Sequence, residues 1–224
     1  VNTLDGDITG SVFGDDSTLL VDGVNNKIVG AVDTTSLRTS EDNIALGNSA
    51  GETTQGDYAV AVGNSSGETT QGHYAVALGY NAGQTSQGAA TVAVGDSAGK
   101  TNQGTQSVAV GNSSGETTQG TRAVALGFYA GNATQGSSAV AIGNTAGQTT
   151  QGISAVAVGY RAGYTTQGIS AVAIGEAAGW TGQGADAVAI GKDAGAANQA
   201  ANSIIINATG AALNNIVEDV FIVK

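Results

Sequence analysis

A unit of sixteen residues repeats ten times, from Asn43 to Asn202, without an insertion or a deletion. Residues 59–74 read Ala-Val-Ala-Val-Gly-Asn-Ser-Ser-Gly-Glu-Thr-Thr-Gln-Gly-His-Tyr, and residues 107–122 differ from them only in the first residue and the last two. A period this short and strict marks a solenoid, in which each repeat is one coil and neighbouring coils bury one another's apolar faces. The predicted fold class is therefore all-β, a parallel β-roll or solenoid of ten coils. Such a rod spaces, anchors or displays something.

Aligning the units turns the sequence into columns. Column two is Val, with Ile44 in the first unit, and column four is Val, Leu or Ile. Column three is always Ala, columns five and nine are always Gly, and column thirteen is always Gln. In a strand, residues two apart share a face. Val60 and Val62, Val124 and Leu126, Val140 and Ile142, and Val172 and Ile174 should each fill one side. Ala61 and Ala125 belong to the column on the other side. A column of invariant small residues suggests the close approach of a second surface. A sixteen-residue coil has too little chain to cover both faces, so that surface is expected from further copies of the chain.

The Gly columns, as at Gly63, Gly67, Gly111, Gly115, Gly143 and Gly147, read as turns where a Cβ is excluded. Between them, Thr69-Thr70 or Thr149-Thr150 suits a second, more polar strand. Gln71, Gln119, Gln151 and Gln167 belong to a column that can form an amide ladder from coil to coil, or bond turn backbone.

Composition agrees with thin layers. Apolar residues make up 41% of the chain, but aromatics only 4%, with 36 glycines. The net charge of −11 disfavours nucleic acid and anionic membranes as partners. No apolar run is long enough to span a bilayer. There is no cysteine and one histidine, His73, so a single chain has neither a Cys/His pair nor a zinc site. Glycine-rich stretches lack the Gly-Lys-Ser/Thr that would make a phosphate loop. Asp5-Gly-Asp7 and Asp15-Asp16 suit turns and caps better than calcium. No catalytic residue, metal site or cofactor is assigned, and the chain is read as not an enzyme.

The variable columns six, seven and ten carry Tyr80, Phe128, Tyr129, Tyr160, Arg161, Tyr164 and Trp180. With coils stacked about 4.8 Å apart, Tyr160, Tyr164 and Trp180 are expected to be near neighbours. Exposed rings beside a turn suit a receptor or glycan contact; packing against a neighbouring coil or subunit is the plainer alternative.

The flanks follow other rules. Residues 1–42 read as a β cap or connector, with strand-like runs at Ser11-Val-Phe13, Ser17-Thr-Leu-Leu-Val21 and Lys27-Ile-Val-Gly-Ala-Val32. Residues 43–202 are the coils. Residues 203–224 read as capping strands, Ile204-Ile-Ile206 and Val220-Phe-Ile-Val223. The chain has no methionine, and further sequence is expected before Val1 and after Lys224.

The unit Ala-Val-Ala-Ile-Gly-x-x-Ala-Gly, at residues 139–147 and 171–179, resembles the head repeat of YadA-like trimeric adhesins. That resemblance implies a left-handed parallel β-roll assembled as an intertwined homotrimer. It covers residues 43–206 and departs in period, since the commonest family unit is about two residues shorter. Residues 10–22 and 26–30, with Ile206–Asn214 and Phe221–Lys224, are similar to segments of tail-fibre and structural proteins of large tailed phages. Together they imply a rigid trimeric shaft on a virion surface. Its partners would be neighbouring virion proteins at its ends and a host glycan or protein. Two alternatives remain open. One is the head of a bacterial trimeric adhesin attached to other cell-surface proteins. The other is a monomeric ice-binding solenoid, which the Thr columns suggest and the breaks at Ala133, Gly182 and Ala197 disfavour.

Overall fold

The computed structural model describes residues 22–23, 26–27, 37–40 and 42–224. The described residues form an all-β parallel solenoid with no helix. Eleven strands repeat at sixteen-residue spacing, from Asn43–Leu46 and Val60–Val62 to Val188–Ile190 and Ile204–Ile206. They pair in parallel and in exact column register, Ala109 beside Ala125 and Ala125 beside Ala141. The rung Ile204–Ile206 keeps this register, and Phe221–Val223 follows it after one longer coil, Ile204 facing Phe221. At the other end Leu37–Ser40 lies antiparallel to Asn43–Leu46 and covers that edge. These strands make one thirteen-stranded sheet. Two-residue strands, from Thr54–Gln55 to Thr166–Gln167, stack into a second sheet of eight. Isolated bridges extend it from Gln167 to Gln183 and Gln199.

Hydrogen bonds between coils continue through the turns. The Val60 amide donates to the Ala75 carbonyl at 2.9 Å, Ser65 to Asn48 at 2.8 Å and Gly72 to Gln87 at 2.8 Å. The backbone thus satisfies itself in successive coils, which is why so few bulky side chains are needed.

The interior is correspondingly small. Columns one, three, eight and thirteen point inward, as at Ala139, Ala141, Ala146 and Gln151, all buried. Where Ser or Thr replaces an inner Ala, its hydroxyl donates to a turn carbonyl: Ser66 to Gly63 at 3.0 Å, Thr91 to Gly88 at 2.8 Å. This corrects the expected role of the Ala column. The surface that approaches it closely is the opposite wall of the same coil. A Cβ built on Gly147 would lie 2.9 Å from the Gln151 side chain and 3.3 Å from the Ala141 Cβ. The bore has room for methyl groups and one flat amide per coil. The Val, Leu and Ile residues of columns two and four are therefore turned outward, where they remain partly exposed, Ile44 by 49% and Ile142 by 38%, whereas in the rung after the ten coils Ile205 takes the inward place beside Ala189 and is fully buried.

Two glycine columns have separate causes. Gly143 has φ +129°, and a Cβ there would stand 2.6 Å from the Gly159 carbonyl oxygen of the next coil. Gly152 has no unusual φ, but its Cβ would meet the backbone of Gly168 and Ile169 at 2.6 Å.

At the N-terminal flank, Asp22–Gly23 pairs antiparallel with Asn26–Lys27. The runs expected at 11–13 and 17–21 lie outside the described residues, as does the run at 27–32 apart from Lys27.

Candidate functional site

Each coil turns between columns five and nine. Gly159 and Gly163 have φ +129° and +55°, and between them Arg161 has φ +58°. Column seven takes this left-handed conformation in every unit, whether the residue is Ser49, Tyr129, Thr145 or Arg161. Column sixteen does the same, from Tyr58 to Asn202. Sequence reading assigns turns to the glycines and misses these positions, because non-glycine residues rarely have positive φ. Inter-coil hydrogen bonds hold the turn whatever its side chain, the Arg161 amide donating to Asn144 at 3.1 Å. Columns six, seven and ten can thus vary without changing the coil.

Four of the expected contact residues come together there. The Arg161 guanidinium carbon lies 5.0 Å from the Tyr160 ring centre, 5.8 Å from Trp180 and 6.0 Å from Tyr164. Tyr160 is 46% exposed and Trp180 38%. Phe128 and Tyr129 occupy the same turn two coils earlier, about 10 Å away by strand spacing, and meet edge to face at 4.4 Å. Tyr80 is exposed on the same column, five coils from Tyr160 and about 24 Å distant by the same spacing.

A second aromatic pair escaped the sequence reading. Tyr58 and Tyr74 stack at 5.2 Å with ring planes 8° apart. Their separation of one period was the available signal. Beside them the Asp57 amide donates to His73 Nδ1 at 3.0 Å. Among the described residues no group of three acidic, His or Cys side chains is placed to hold a metal ion. No helix among them is long and apolar enough to cross a membrane.

The glutamine column makes both kinds of bond. Gln151 Nε2 donates to the carbonyls of Val140 at 2.7 Å and Ala155 at 3.3 Å, and to Gln167 Oε1 at 3.1 Å. Side-chain links run unbroken from Gln119 through Gln135, Gln151, Gln167 and Gln183 to Gln199. In the earlier coils, Gln71, Gln87 and Gln103 bond the backbone carbonyls of Val60, Val76 and Val92. The buried Oε1 atoms of Gln71, Gln87, Gln103 and Gln119 accept no bond from a protein donor. A shallow, open groove of about 270 Å³ follows the second sheet over these coils, lined by Thr70, Ser86, Asn102 and Thr118.

Comparison with protein families, curated proteins and solved structures gives no match. The class defined by the coordinates is a parallel β-solenoid of sixteen-residue coils.

Proposed function

We propose that this chain is a structural fibre segment, a rigid homotrimeric shaft on a virion surface that presents a host-contact face. The observation that carries the reading is the outward stripe of columns two and four. Every residue in it is Val, Leu, Ile or Phe, from Ile44 and Leu46 to Phe221 and Val223. It is about 50 Å long and 7 Å wide by strand geometry. A stripe of that size is in the range of the largest apolar patch on a typical monomer, about 300–600 Å², which is often functional. Copies of the same rod, laid side by side, cover such a stripe along its whole length. Three is the number that the resemblance to adhesin head repeats implies, and the flanking segments favour a phage fibre.

A bacterial trimeric adhesin uses the same rod and the same stripe. A monomeric ice-binding solenoid draws instead on the exposed Thr columns of the second sheet. Its array is broken by Ser86, Asn102, Ala133 and Gly182, and it leaves the apolar stripe uncovered.

Immunogold electron microscopy with antibody raised against residues 43–202 tests the assignment. Label on virion appendages is the expected result. Label on a bacterial outer surface, or on neither, contradicts it.

A further inference from the structure

We propose that Tyr160, Arg161, Tyr164 and Trp180 form a binding site for an acidic, carboxylate-bearing oligosaccharide. The inference deepens the display role above by naming what the shaft contacts. Arg161 is exposed and has no carboxylate partner among the described residues, in a chain with 18 acidic and 7 basic side chains. The acid that occupies the Tyr160 column one coil on, Glu176, is instead paired with Lys192 at 3.3 Å. An anion approaching this acidic rod therefore meets an uncompensated guanidinium here. The three rings surround the cation at cation–π distances. A guanidinium oriented by ring faces keeps its N–H edges outward, and that planar fork matches a carboxylate in two parallel bonds.

The rings select the rest of the ligand. The C–H faces of a pyranose are apolar and slightly positive, and they stack on the negative face of an aromatic ring. Tyr160 and Trp180 remain open enough to offer such faces. The turn also continues along the rod. Asn144 and Thr145 lie one coil earlier and supply amide and hydroxyl groups, and Phe128 and Tyr129 lie one coil beyond them. An elongated saccharide can follow this row. A polyphosphate chain fits poorly, because it needs several cations and the patch contains one.

Trp180 is the only tryptophan, so its emission reports on this patch alone. The test titrates the purified chain with tetragalacturonate and with sialyllactose, against maltotetraose and lactose as neutral controls. A saturable change in Trp180 emission with an acidic sugar, at least about tenfold tighter than with its neutral control, is expected from one charge-assisted pair. Arg161→Gln should remove that preference. Arg161→Lys should retain only part of it, because an ammonium lacks the fork. Tyr164→Ala should weaken both classes. Circular dichroism on each variant confirms that the coil persists. No saturable change with either acidic sugar overturns the proposal, as does equal acidic-sugar binding by Arg161→Gln. The readout is independent of immunogold location, so the two proposals fail separately.

Discussion

The thirteen-stranded and eight-stranded sheets enclose one interior of alanine and glutamine, yet they turn different residues outward. On the first sheet the outward residues are Val140 and Ile142, Val156 and Val158, and their counterparts; on the second they are Thr118, Thr134, Thr150 and Thr166. Both sheets have the same rung spacing and are locked by parallel ladders. The difference is therefore in what each face meets. Threonine satisfies water, whereas a file of valine and isoleucine gains from leaving it, by roughly 25 cal/mol per Å² of apolar surface covered. One wall is polar and the other apolar.

Substitutions that attack what the two walls share should be the most damaging. Gly143→Ala places a Cβ 2.6 Å from the Gly159 carbonyl oxygen at φ +129°. Both partners are backbone, so the coil itself must open, and the expected loss is about 3 kcal/mol or more, read as a fall in the urea midpoint. Ala141→Leu adds bulk to an interior that is fully buried and should cost about 1–3 kcal/mol per copy. The same change at an outward position is tolerated, and equal losses at both would erase the distinction between inside and outside.

Gln151→Leu tests the shared lining more finely. It removes one bond each from the Val140 and Ala155 carbonyls, Gln167 Oε1 and Gln135 Nε2, while the Ala155 carbonyl keeps the Val140 amide and Gln135 Nε2 keeps the Val124 carbonyl. A cost of about 1–3 kcal/mol follows from the four bonds lost and from leaving the buried Gln167 Oε1 without its donor. Gln87→Leu deprives only the Val76 carbonyl, so it should cost less. The reverse order, measured by hydrogen exchange of the flanking rungs, would show that the continuous part of the ladder adds nothing.

Changes to the outer faces should separate the two sheets. Ile142→Lys with Ile174→Lys puts charge on the apolar wall and should lower the solution mass while preserving the β circular-dichroism signal. Thr150→Ala, on the polar wall, should alter neither mass nor stability by more than about 0.5 kcal/mol. A mass change with Thr150→Ala and none with the double lysine variant would exchange the roles of the sheets.

The period, the parallel pairing and the polar second strand are legible in the sequence because they depend on backbone geometry and side-chain alternation. The choice of inside and outside is not. Alternation says that Ala141 and Ile142 face opposite ways, but not which of them lies in the bore. Bulk ordinarily belongs inside; here the two walls come so close that only Ala141 fits and Ile142 is displaced outward. The left-handed turn at Arg161 is equally hidden, since bonds to the preceding coil impose it. Spacing brought Tyr160, Tyr164 and Trp180 within reach of one another, but only the coordinates set Arg161 among all three rings.

The most direct test is the solution mass by multi-angle light scattering. A trimer of 21.7 kDa chains, 3 × 21.7, gives 65.1 kDa and is the result expected if copies of the chain cover the apolar wall. A stable 21.7 kDa monomer at micromolar concentration would leave that wall in water and contradict the account.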